Sequence, residues 1–390
     1  MASAVPFIAE DFHLSPITMG AVLSAFFAGY ALMQIPGGLL ADRFGPRAVL
    51  TTSIACWSVL TALTGAVPGL TSMLAVRVLF GIGESPFPSA APKTLSIWFP
   101  PREVGRASGL LLASTGIGAA VAPLFVATLI GVWGWRSLFY ALFAPGAALA
   151  IVVWRYVGNS PTDSTHLARR EKTEYDAIAV EQIPAKTSLS ESLRTPGLLW
   201  CGLCLFFVNM VNWGLLNWLP TYLLQSRGFG VEKMGIFATL VNLAGALGYP
   251  LGGYVGDRYF GQNLRVPIIL GLIVSGGFTY LAARAPTGEW AVAYLLVVFL
   301  FLNAGATAIC TLPLVIAPKH AVGRAVGIVN TAGQLAGLLS PLLIGYILDT
   351  THGNFEIVLD CLVGVTLIAI YPASQIRQTV RGRLGGVLSS

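Results

Sequence analysis

The sequence predicts an all-α membrane protein made of two similar helical bundles, and three observations predict it. The chain is 55% hydrophobic and only 10% charged over 390 residues, whereas a soluble domain carries roughly one quarter charged residues. Eleven stretches are long and apolar enough to cross a bilayer, each near the roughly 20 residues that a helix needs to span about 30 Å of hydrocarbon. Two polar patterns also recur, in the same order, in the two halves of the chain.

Residues 1–16, MASAVPFIAEDFHLSP, carry no basic start region, no long apolar run and no small-residue cleavage site. They do not read as a secretory signal, and they look like the outer end of a helix. The predicted spans are then 17–40, 48–66, 70–95, 103–130, 133–157, 197–225, 232–256, 266–283, 289–316, 324–348 and 354–375. Residues 155–196 are the one long polar stretch, with charges of both signs and few aromatics. They read as a cytoplasmic linker between an N-terminal bundle, 1–154, and a six-helix bundle, 197–376, which is followed by a cytoplasmic tail, 377–390. Five spans before the linker and six after it imply twelve helices, with the first one incomplete before residue 17.

The formal charge of +6 raises the question of nucleic acid, and its distribution answers it. With the Asp42 loop placed in the cytoplasm, 17 Lys and Arg fall on the cytoplasmic side and four, Arg136, Arg227, Lys233 and Arg284, on the other. That is the bias that orients membrane helices, and it needs no acidic partner. Cys56, Cys201, Cys204, Cys310 and Cys361 all lie in apolar segments, where free cysteine behaves as a small hydrophobe. Cys201 and Cys204 form a CxxC without the further ligands or strand context that would make it metal-binding or redox-active. Four histidines, His13, His166, His320 and His352, fall at helix ends or loops. No zinc-protease motif, nucleophile elbow or catalytic triad setting is present, so an enzyme is not expected.

The repeat is specific. GGLLADR at 37–43 returns as GGYVGDR at 252–258, an offset of 215, and GRASG at 105–109 with Pro123 returns as GRAVG at 323–327 with Pro341, an offset of 218. Repeated halves about a central site are how secondary transporters build alternating access. GGLLADRFGPRAVL at 37–50 resembles the loop signature of the major facilitator superfamily. RVLFGIGESPFPSAAPKTLSIWFPPREVGRASG at 77–109, NWLPTYL at 217–223 and the stretch from Asn330 to Pro341 resemble its anion:cation symporter family. The resemblance implies the major facilitator fold and proton-coupled uptake of hexuronates, aldonates, aldarates, aromatic acids or similar anions.

Ionisable side chains inside membrane helices are costly and read first as functional. Arg77, Glu84 and Lys93 all fall in one predicted span. Arg77 and Glu84 are seven residues apart, about 700° of turn and roughly 10.5 Å of rise, so they share a face. The planar, permanently charged fork of an arginine suits a carboxylate, and a carboxylate in apolar surroundings is placed to take up and release a proton. The residues therefore offer a substrate clamp at Arg77 and a proton switch at Glu84, with a structural ion pair as the plain alternative. Lys93 lies near the cytoplasmic end and can snorkel toward water.

In the second half, polar side chains must supply the site: Asn212, Thr307, Asn330 and Gln334 are candidates, while Asn209, Asn242 and Asn303 read as helix bridges. The resemblance assigns the Arg and Glu of the family's motif to Arg77 and Glu84, and substrate contacts to Tyr30 and Asn330. It makes Asp42, Arg43 and Arg47, with Asp257 and Arg258 in the repeat, a conformational gate on the cytoplasmic face. Gly116, Gly118, Gly333 and Gly337 lack a phosphate-loop pattern and read as close helix contacts. The expected partners are a small organic anion, H⁺ and the lipid bilayer of a bacterial inner membrane. No nucleic acid, cofactor or metal is expected, and the chain is expected to be a monomer. A proton-driven exporter of the same superfamily, or a transport-incompetent truncated form or sensor, is the alternative.

Overall fold

The computed structural model describes residues 1–99, 101–159, 197–260, 263–317 and 322–387, and among them the regular structure is helical throughout. A 3₁₀ turn at Ala2–Ala4 leads into α1, Val5–Asp11. There follow α2, Pro16–Phe44; α3, Pro46–Ala66; α4, Leu70–Glu84; α5, Phe87–Trp98; and α6, Pro101–Tyr156. After the gap come α7, Leu198–Thr221; α8, Val231–Val255; α9, Arg265–Ala283; α10, Gly288–Ile316; α11, Val322–Thr350; and α12, Phe355–Val387. In lipid every backbone N–H and C=O needs an internal partner, which is why long apolar stretches resolve into helices. Most of the expected linker, residues 160–196, lies outside the described residues.

Nine helical stretches among the described residues are long and apolar enough to cross a membrane, against eleven predicted. Two local events account for the difference. The predicted spans 103–130 and 133–157 run together as α6, interrupted at Gly134, whose φ of 76° and ψ of 168° are non-helical. Only glycine occupies such a backbone without strain. The predicted span 70–95 is divided at Ser85 and Pro86 into α4, of 15 residues, and α5, of 12. Pro86, Pro88 and Pro92 each lack the N–H that would continue the ladder.

The chain forms two compact units. The first comprises residues 1–24, 117–131 and 186 onward. Within it α7 packs on α11 and α12, α10 on α8 and α9, and α9 on α12. Its core includes Leu198, Cys201, Val211, Met234, Leu295 and Ile309. Val5 and Ala9 of α1 join the same core. Two polar contacts brace α7 against α11: the Trp218 indole donates to the Pro341 carbonyl at 3.2 Å, and Ser340 Oγ donates to the Met210 carbonyl at 2.6 Å. The second unit comprises 25–116 and 132–185, with α3 against α4 and α5.

An arginine closes the end of one helix in each unit. Arg136 Nη1 donates to the carbonyls of Gly65 and Val67 at 3.1 and 2.9 Å, at the end of α3. Arg227 donates to those of Ala285 and Ala282 at 3.1 and 3.0 Å, at the end of α9, and to the Tyr222 hydroxyl at 2.7 Å. Gly65 and Val67 shifted by the 218-residue repeat are positions 283 and 285, so the two arginines serve equivalent helix ends. The repeated sequence patterns also occupy similar places: 105–109 and 323–327 lie in the opening turns of α6 and α11, 37–43 in the last turns of α2, and 252–258 across the end of α8 and the π-helical turn that follows it.

Candidate functional site

The site in the second unit is set by how closely α2 meets α4. A Cβ on Gly29 would overlap the Val78 carbonyl, and one on Gly81 would overlap the Phe26 carbonyl. Glycine at both positions lets the backbones touch. This contact brings Phe26 and Tyr30 of α2 to Arg77, Phe80 and Glu84 of α4.

Arg77 is 7% exposed. Its guanidinium carbon lies 5.1 Å from the ring centroids of both Phe26 and Phe80, and those rings meet edge to face at 6.0 Å. Arg77 Nε is buried with no hydrogen-bond partner. Among the described residues neither Arg77 nor Glu84 enters an ion pair, so the plain alternative of a structural pair between them is not what the fold builds. Glu84 is half-buried and acts through space on Arg77 and on the Tyr30 hydroxyl. Next to it, Ser85 is fully buried; its hydroxyl donates to the Tyr30 carbonyl at 2.8 Å and lies 3.4 Å from Gln34 Oε1. The break between α4 and α5 is thus pinned to α2 one residue beyond the carboxylate.

The residues expected to form a gate, most of them at the far end of α2, have the following partners. Lys93 Nζ donates to Asp42 Oδ1 at 2.7 Å and to the Ala41 carbonyl at 2.9 Å. Lys93 therefore ties α5 to the end of α2 instead of standing alone in water. Arg47 donates through Nε and Nη2 to the Trp154 carbonyl at 2.9 and 2.6 Å and lies 4.2 Å from the Trp154 ring. Arg43 is exposed and lies 5.3 Å from the Phe44 ring. Arg258 is exposed and 5.9 Å from the Tyr259 ring, in the π-helical turn Gly256–Phe260. The Asp257 side chain lies outside the described residues.

The polar candidates of the first unit are less concentrated. Asn209 of α7 faces Gly333 of α11, where a Cβ would come within 2.6 Å of its Nδ2. Asn330, exposed, and Gln334, half-buried, flank that contact on α11, and Asn212 lies half-buried on α7. Thr307 Oγ1 donates to the Tyr249 carbonyl at 3.0 Å, tying α10 to α8, with the Asn303 carbonyl at 3.2 Å. Asn242 does the bridging expected of it, donating to the Ala119 carbonyl at 3.3 Å, whereas Asn303 turns back on its own helix and donates to the Phe299 carbonyl one turn earlier at 2.8 Å. Gly333 is a close contact as expected, whereas a Cβ on Gly118 would meet nothing within 4 Å. Among the described residues no group of His, Cys, Asp or Glu could hold a metal ion, and the five cysteines are free.

Sequence reasoning missed Phe26 and Phe80. Their only signal is spacing: each lies within four residues of a predicted site residue on its own helix, Phe26 before Tyr30 and Phe80 between Arg77 and Glu84.

Comparison with known proteins accounts for this architecture. The model of the Major Facilitator Superfamily matches residues 1–341. The probable sulfoacetate transporter SauU of Cupriavidus necator is 32% identical over 94% of this chain and 87% of its own length. The probable galactarate/D-glucarate transporter GarP of Escherichia coli is 30% identical over 88% of this chain and 83% of its own. The hexuronate transporter of Bacillus subtilis is 28% identical over 91% and 85%. In fold, the chain is similar to a bacterial homologue of the human lysosomal transporter Spinster in its inward-facing, occupied conformation. The TM-score is 0.76 at 19% identity, covering 97% of this chain and 93% of that one. A D-xylose-proton symporter gives 0.72 at 15% identity, covering 95% and 93%. This chain is a multi-pass membrane transporter, not an enzyme, and belongs to the major facilitator superfamily, in its anion:cation group.

Proposed function

We propose that the chain is a secondary transporter that carries a small organic anion, such as a sugar acid, an aromatic or dicarboxylic acid or a small sulfonate, inward with a proton by alternating access. The observation that carries this reading is Arg77: a permanent cation, 7% exposed, with a buried Nε that has no partner and no ion pair with the glutamate on its own helix face. A buried cation of this kind is costly unless something compensates it, and an anionic substrate would do so. The names of the relatives support the substrate class.

Glu84 is the coupling group, since its carboxyl lies within electrostatic reach of Arg77 and can give up or take a proton as the anion leaves or arrives. Tyr30 in the second unit, and Asn212, Thr307, Asn330 and Gln334 in the first, are the further residues we assign to substrate binding. Asp42, Arg43, Arg47, Asp257 and Arg258 act as the cytoplasmic gate. The protein works in a bacterial inner membrane as a monomer, with linker and C-terminus in the cytoplasm and the proton as its only accessory.

The test is uptake into proteoliposomes of radiolabelled D-glucarate, D-glucuronate and sulfoacetate under an inward pH gradient. Uptake that follows the gradient and is abolished by Arg77→Gln supports the reading. Uptake indifferent to the gradient removes the proton, and failure to move any of the three removes the anion.

A further inference from the structure

We infer that Phe26 and Phe80 are positioning residues for anion binding: their rings hold the Arg77 guanidinium apart from Glu84 and leave its N–H donors to an incoming oxyanion. The inference rests on the anion reading above and deepens it.

A simpler arrangement was open to this helix. Arg77 and Glu84 share a face roughly 10.5 Å apart along the axis, a gap their extended side chains could close. In a medium of low dielectric the attraction between two such charges is at its strongest, yet no pair forms among the described residues. The guanidinium instead lies 5.1 Å from each of two phenyl rings, inside the roughly 6 Å range over which a ring face attracts a cation.

The choice of phenylalanine is chemically pointed. A carboxylate or amide at either position would attract Arg77 by accepting its hydrogen bonds, whereas a phenyl ring attracts the charge and offers no oxygen to accept them. The rings are themselves braced. Phe26 meets the Phe27 ring at 5.2 Å and the Tyr30 ring at 5.5 Å, and the Gly29 and Gly81 contacts fix α2 against α4. What remains is a walled cation whose buried Nε has no partner, a fork fitted to two oxygens of a planar carboxylate or of a sulfonate.

The experiment is initial-rate uptake of D-glucarate and sulfoacetate over a range of concentrations into proteoliposomes holding the parent protein or Phe26→Leu, Phe26→Met, Phe80→Leu or Phe80→Met. The Met variants keep volume and adapt to irregular space, so they serve wherever a Leu variant does not fold. Removing one ring is expected to raise KM about threefold to thirtyfold with Vmax within about twofold of the parent. Leu and Met variants with the parent KM, or a loss confined to Vmax, would each overturn the inference. If the parent protein takes up neither anion, the anion reading fails and the inference with it. If the parent transports and the Leu and Met variants match it, the inference alone fails.

Discussion

Arg77 and Glu84 make separable demands on a neutral substitute. On the proposed reading Glu84→Gln retains a hydrogen-bonding side chain and loses the proton, so gradient-driven accumulation falls to background while exchange of labelled for unlabelled anion across the membrane persists. Counterflow in the absence of a pH gradient checks this directly. Lys93 is a different case. Its side chain and that of Asp42 are 32% and 73% exposed, and exposed pairs contribute little. Lys93→Gln is therefore expected to cost less than about 1 kcal/mol of stability, measured by thermal unfolding in detergent. The Arg77–Glu84 pair was legible because seven residues is two helical turns and charges in apolar helices stand out. Phe26 and Phe80 were not, since a phenylalanine in a membrane helix looks the same whether it faces lipid, core or cation. The Lys93–Asp42 contact joins positions 51 apart in the chain, and nothing local encodes it.

At the level of elements, the length of each apolar stretch located the helices, while the breaks between them depended on single residues. Hydropathy runs straight through Pro86 and Pro88, which is why one predicted span became α4 and α5. Gly134 shows the converse: two predicted spans became one helix bent at a glycine with φ of 76°. Glycine-rich composition suggested close contacts in general and could not say which glycines make them. Gly81→Ala is expected to destabilise by about 1–3 kcal/mol, because the added methyl meets backbone that cannot turn aside. Gly118→Ala, with nothing within 4 Å of its Cβ, is expected to be neutral or to stabilise by up to about 1 kcal/mol through its better helix propensity. Equal unfolding temperatures for the two variants would contradict the packing described for α2 and α4.

For the molecule as a whole, the internal repeat was the most informative feature of the sequence, and the helix ends closed by Arg136 and Arg227 show how far it extends. The helix ends served are equivalent and one carbonyl, that of Val67 and Ala285, corresponds directly, but the donors come from different elements, so the repeat survives in the need and not in the residue that meets it. Arg227→Gln removes charge-assisted hydrogen bonds to the end of α9 and is expected to cost about 1.5–3 kcal/mol, read as a lowered unfolding temperature with substrate affinity unchanged. The unpaired state of Arg77 has a wider consequence on the proposed reading. An arginine that never discharges and a carboxylate that can do so give the site two electrically neutral totals. One is Arg77 with ionised Glu84 when empty; the other is Arg77 with a monovalent anion and protonated Glu84 when loaded. Either cargo alone leaves a unit charge to be carried through a medium of low dielectric, which is penalised. Anion and proton are then coupled by charge balance, with no need to touch each other. A monocarboxylate would cross without moving net charge and ignore the membrane voltage, whereas a dicarboxylate would carry one negative charge and slow as the interior is made more negative.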